Sequence, residues 1–130
     1  MIATGEFEVT LHPLDSYATG NEGTTLGCMS IDKTFQGDLA GQSQGQMLTA
    51  LTAVEGSAGY VAIEQVSGSL HGKQGTFVLQ HFGITNVSGQ RLILEVVPDS
   101  GTGELATLTG QMSIQIENGD HTYQFDYSLA

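Results

Sequence analysis

Glu6-Phe7-Glu8-Val9-Thr10-Leu11 places Phe7, Val9 and Leu11 on one face of an extended chain and Glu6, Glu8 and Thr10 on the other. A period of two is the pattern of a strand with one face buried and one face wet. The same pattern returns at Met29, Ile31, Lys33 and Phe35, where the run ends at Gly37-Asp38. It continues through Tyr60 to Val66, Ser69 to His71, Thr76 to His81, Arg91 to Val97, Leu105 to Glu117 and Thr122 to Leu129. Glycine, 18 residues in 130, punctuates these runs, and Asn118-Gly119-Asp120 is a tight hairpin signal. Between Leu39 and Glu55 the reading divides. Met47, Leu48, Leu51 and Val54 fit one helical face, while the threonines and short alternations fit a strand, which is the reading adopted. Pro13 to Thr24 reads as a polar loop, long enough to be mobile or to lie over an opening.

About eight strands with short connections and no convincing helix predict an all-β fold: a small closed antiparallel barrel, with a β-sandwich as the alternative. Closure removes the exposed edges that a flat sheet would leave. A length of 130 residues suits one domain, spanning residues 1–130, with one core. Parity then sorts each strand into lumen and exterior.

Fourteen carboxylates against Lys33, Lys73 and Arg91 give a net charge of -11. Nucleic acid and anionic membrane surfaces repel such a chain, because phosphate affinity needs clustered Lys and Arg. No apolar run is long enough for a membrane helix. Cys28, the single cysteine, has no internal disulfide partner and reads as a small buried hydrophobe. With no basic-then-apolar leader at Met1 to Glu6, the expected location is a reducing cytoplasm.

Several motifs look chemical and fail on context. Gly41-Gln42-Ser43-Gln44-Gly45 matches a nucleophile elbow, which requires a parallel sheet flanked by helices. Gly101-Thr102-Gly103-Glu104-Leu105-Ala106 resembles a dinucleotide fingerprint, but strand rather than helix follows it. His12, His71, His81 and His121 lack the short spacings of a metal site, although distant strands can bring such residues together. No cofactor is expected. Asp99, Ser100, Thr102 and Glu104 form an acidic loop, read as a strand connection with oxygens suited to a hard cation.

Parity nominates the lining of a pocket. If Phe77 and Leu79 face inward, so does His81; if Tyr60, Ala62 and Val66 do, so does Glu64; and Tyr123, Phe125 and Tyr127 make an aromatic row in the last strand. Parity on the Tyr60 strand is ambiguous, since Val61 and Ile63 serve equally well as the inward set. Polar groups among apolar ones are the mixture of a ligand cavity. An inward glutamate is expected to have its pKa raised by desolvation, leaving it able to donate a proton near neutrality, and a nearby histidine to accept one, as an acid and base pair.

Four runs in order resemble the signature segments of the bacterial domain-of-unknown-function family DUF3224: Lys33-Thr34-Phe35-Gln36-Gly37-Asp38-Leu39, Gly56-Ser57-Ala58-Gly59-Tyr60-Val61-Ala62-Ile63-Glu64, Gly75-Thr76-Phe77-Val78-Leu79-Gln80-His81, and Val96-Val97-Pro98-Asp99-Ser100-Gly101-Thr102-Gly103-Glu104-Leu105. The resemblance runs from about Phe7 to Leu129 and implies a barrel of the allene oxide cyclase-like kind. It transfers no catalytic residue. The more distant plant cyclases and dirigent proteins hold reactive small molecules in the barrel lumen and tend to be oligomeric, which here is an analogy of fold alone. The expected function is therefore binding of a small apolar ligand in a homo-oligomeric barrel. The alternatives are an isomerase or cyclase acting in the same lumen, and a structural or regulatory module with a filled core.

Overall fold

The computed structural model covers residues 1–130 and shows a closed eight-stranded antiparallel barrel in which each strand pairs with its neighbours in sequence. The strands are β1 (Ile2–Leu14), β2 (Thr25–Gly37), β3 (Leu39–Leu51), β4 (Ala58–Leu70), β5 (Lys73–Asn86), β6 (Gly89–Val96), β7 (Thr109–Glu117) and β8 (Asp120–Ser128). β8 closes on β1 from Ile2↔Asp126 to Phe7↔His121. The sandwich alternative is thereby excluded.

Three connections make one end of the cylinder: Asp38 between β2 and β3, His71-Gly72 between β4 and β5, and the segment from Val97 to Leu108 between β6 and β7. At the hairpins His71-Gly72 and Asn118-Gly119 both central residues have positive φ. That is the turn whose twist matches the flanking strands. The first lies one residue earlier than the glycine spacing suggests, because β5 begins at Lys73.

Residues 39–51 form a strand along their whole length, since each residue from Leu39 to Leu51 has a partner on β4. The helical pattern of Met47, Leu48 and Leu51 loses to this two-sided pairing. β7 begins at Thr109 and not at Leu105, because Gly103–Leu105 forms a single 3-10 turn that drives Leu105 into the core. Cys28 departs from the sequence reading. It is half-buried, because inward-facing Ile31 gives Cys28 the outward parity.

The core fills the closed end. Phe35, Phe77, Phe125, Leu39, Leu70, Leu79, Leu94, Leu105 and Leu108 lie within it essentially without solvent contact. Phe77 and Phe125 stack with ring centroids 5.8 Å apart and planes 13° from parallel. The Tyr123 hydroxyl, 2.9 Å from the Leu39 amide and 3.0 Å from the carbonyls of Gln36 and Leu39, secures the β2–β3 turn. No helix of the protein is long and apolar enough to cross a membrane.

Candidate functional site

Midway along the lumen, four polar side chains from four adjacent strands form a row: Lys33 on β2, Ser43 on β3, Glu64 on β4 and His81 on β5. Register explains the row. Lys33 pairs with Ser43, Gly45 pairs with Glu64, and His81 pairs with Ala62, so each group sits directly beside or one step diagonal to the next on the inner wall. Gly45 is required here, because a Cβ at that position would collide with the Ile63 carbonyl and crowd Glu64.

Glu64 is inaccessible to solvent, and both its oxygens are engaged. Ser43 Oγ donates to Oε1 at 2.7 Å, Lys33 Nζ donates to Oε2 at 2.8 Å, and His81 Nε2 also hydrogen-bonds Oε2. The Lys33 ammonium lies 4.9 Å from the Phe7 ring centroid and 5.7 Å from that of Phe35, so aromatic faces complete its shell. No buried side-chain polar atom lacks a partner.

Burial alone would raise the Glu64 pKa, as expected from sequence. The hydrogen bond from His81 and the charge of Lys33 outweigh it and lower the value to about 2. Glu64 is therefore a fixed buried anion and not a proton donor near neutrality. An ionised carboxylate only accepts, so His81 Nε2 donates to it, and in the neutral ring the lone pair is left on Nδ1.

Nδ1 faces the Tyr60 hydroxyl at 3.4 Å. Tyr60 pairs with Gly83, where a Cβ would strike its ring; the absent side chain is what lets the ring lean across β5 toward His81. Burial, with a smaller contribution from the Glu64 charge, raises the Tyr60 pKa. The result is a carboxylate, an imidazole and a hydroxyl in line, running from the sealed middle of the barrel to its open end.

Tyr60 belongs to the wall of a cavity of about 200 Å³ at that open end. Met47, Leu51 and Leu92 supply apolar surface and Thr49, Thr85 and Gln90 the polar groups, while Ile84 and Arg91, of outward parity, reach it only at the rim. No carboxylate lines it, although the chain has 14. A larger depression of about 570 Å³ lies between the loop from Asp15 to Ala18 and the outer faces of Leu48, Val61 and Phe82, and meets the cavity at Thr49 and Tyr60. The β1–β2 loop thus covers part of the outer wall.

Of the residues singled out by parity, Tyr60, Glu64 and His81 come together. Val61 and Ile63 face outward and are about half exposed, which resolves the ambiguity on β4. Phe77, Phe125 and Tyr127 pack at the closed end, and Tyr123 serves the β2–β3 turn; none of the four lines the open-end cavity. Tyr127 there hydrogen-bonds His71 Nδ1, and His71 Nε2 lies 3.5 Å from Asp38. Burial, then the charge of Asp38, raises the Tyr127 pKa.

Lys33 and Ser43 were not singled out as site residues in the sequence. Lys33 carried a signal, since it occupies the inward parity of Met29, Ile31 and Phe35 and a lysine in such a series needs a buried partner. The acidic loop spends its oxygens on the edge of β5. Ser100 Oγ accepts from the Val78 amide at 3.0 Å, Thr102 Oγ1 from Thr76 at 3.0 Å and Glu104 from Gln74 at 3.1 Å. No group of three or more His, Cys, Asp or Glu side chains is placed to hold a metal ion.

Comparison with known proteins agrees with the resemblance seen in the four sequence runs. The profile of the family described as "Protein of unknown function (DUF3224)" matches residues 3–127. Among solved structures, the chain is similar to a protein of unknown function from the DUF3224 family of Shewanella oneidensis MR-1. The two are 58% identical with a TM-score of 0.97, over 100% of this chain and 98% of that one. Nothing among the curated proteins matches. The barrel, the four sequence runs and the profile match together establish that this chain belongs to the DUF3224 family.

Proposed function

We propose that this protein binds a small apolar molecule at the open end of its barrel, beside Tyr60. The observation that carries this reading is the cavity itself: an apolar, carboxylate-free wall in a chain of net charge -11, backed by a buried ion-paired row that reaches it through one hydroxyl. Buried charges are costly to maintain, and an apolar core would replace them at no loss of stability. Their alignment toward a cavity fits a functional use.

The test is a thermal-shift screen of lipids and small metabolites, because a ligand that binds only the folded form raises the melting temperature. Met47→Trp, which fills the cavity, should abolish the responses. Retention of every response in that variant would place the ligand elsewhere.

Self-association is part of the same reading. Leu48, Val61, Ile63, Phe82, Ile84 and Ile93 leave apolar surface on the outer wall, which supports a homo-oligomer. Sedimentation velocity checks it. A bacterial, cytoplasmic setting is proposed on the lone Cys28 and on the bacterial source of the similar structure.

A further inference from the structure

We propose that Tyr60 is a catalytic residue for proton transfer, and that His81 and Glu64 act through it on apolar ketones bearing an acidic C–H beside the carbonyl. This rests on the binding reading above, since the substrate must first occupy the open-end cavity.

The geometry is that of a carboxylate–imidazole–hydroxyl relay. Glu64 holds His81 Nε2–H and fixes the tautomer; Nδ1 faces the Tyr60 hydroxyl; and Tyr60 alone of the three belongs to the cavity wall. A tyrosine whose ionised form is disfavoured cannot store charge, so it must release its own proton as it accepts another. In the forward step the C–H bond breaks and its electron pair passes into the carbonyl system as an enolate. The carbon's proton goes to the Tyr60 oxygen, and the Tyr60 proton goes to His81 Nδ1. Reversal returns a proton to carbon, at the same or a conjugated position; where the Tyr60 hydroxyl on the cavity wall first trades its proton with solvent the returned proton is a solvent one, so the net reaction is isomerisation or solvent exchange.

Charge balance favours return of the proton. Lys33 already neutralises Glu64, so an imidazolium leaves the buried row with one excess positive charge. The enolate beside it is the compensating anion, and both vanish when the proton goes back. On its side the enolate oxygen finds donors in Thr49 or Gln90 and meets no carboxylate. His81 is faced by Glu64 and Tyr60 from β4, with Lys33 reaching it only through Glu64; its β6 partner, Leu94, adds no charge. A reaction that consumes no water and expels no charged group suits walls made of Met47, Leu51 and Leu92.

The probe is β-tetralone, with hydrogen-to-deuterium exchange at its carbon positions followed by proton NMR in deuterium oxide. The wild-type protein should accelerate exchange, and Tyr60→Phe should lose ~100-fold of that acceleration while keeping the β-tetralone thermal shift. His81→Gln should also keep the thermal shift, lose rate and flatten the pH profile of exchange. Gly83→Ala leaves every acid and base in place and displaces only the Tyr60 ring, so it should slow exchange as well. Binding of β-tetralone without acceleration overturns the relay and leaves the binding reading intact, and an unchanged rate in Tyr60→Phe does the same. Absence of a thermal shift with β-tetralone and with every other ligand screened overturns both.

Discussion

The two ends of this barrel are built from the same alternation and meet opposite fates. At the closed end the inward residues are Phe77, Phe125, Leu39, Leu70, Leu105 and Leu108, all fully or almost fully buried. At the open end they are Met47, Thr49, Tyr60 and Leu92, which leave a cavity, and Ile116 stays 65% exposed. The difference lies in what covers them. The segment from Val97 to Leu108 folds back under the barrel and drives Leu105 and Leu108 into it, whereas β5–β6 and β7–β8 turn over in tight hairpins that cover nothing. The polar row of Lys33, Ser43, Glu64 and His81 marks the boundary between a packed half and a hollow one. Inward parity, then, places a side chain in the lumen, and the connections decide whether the lumen is filled there.

The sharpest way to break this contrast is at the boundary and just below it. Glu64→Ala strands a buried ammonium on Lys33 and should cost about 3–5 kcal/mol in urea unfolding. Phe77→Ala, which opens a cavity in the stacked pair, should cost a similar 3–5 kcal/mol. A loss below about 1 kcal/mol in either would mean that the lower half is not the packed core described.

Acid probes the same boundary. Glu64 ionises at about 2 in the folded protein, against its ordinary 4.5, despite a burial that acts the other way. Its contribution is therefore fully present above about pH 4.5 and disappears as pH falls toward 2. The linked loss is on the order of 3 kcal/mol. Glu64→Gln should flatten that part of the stability-versus-pH curve, and a curve identical to wild type would refute the ion-paired assignment.

Tyr123→Phe removes the hydroxyl shared by Leu39 and Gln36 and should cost about 1–3 kcal/mol, because those buried backbone groups lose their partner. At the open end the corresponding truncation is nearly silent. Ile116→Ala should change stability by about 0.5 kcal/mol or less, as for an ordinary surface position. A large loss there would show that the open end is covered in solution.

Much of the fold was legible because a two-residue period has one physical meaning. Phe7, Val9 and Leu11 could only be a strand with one apolar face, and Asn118-Gly119 could only be a tight hairpin. The site was legible in part. Glu64 and His81 emerged from parity, but the charge state of Glu64 did not, since desolvation was the only force visible in one dimension. Lys33 lies 31 positions away in sequence and becomes a neighbour only through the register of β2, β3 and β4. Ser43 sat inside a false nucleophile motif, and its actual task is to donate to Glu64. Gly83 carries no signal of its own in the sequence; its role is to admit the Tyr60 ring.

Left to itself, the chain's alternation of side chains and its turn residues dictated strands, their approximate ends and an antiparallel order, because those depend on contacts between near neighbours. Which end of the cylinder would be stoppered, which carboxylate would stay ionised and which hydroxyl would reach a cavity were settled only on closure. Closure brings distant strands into register, and register alone sets the distances on which buried electrostatics depend.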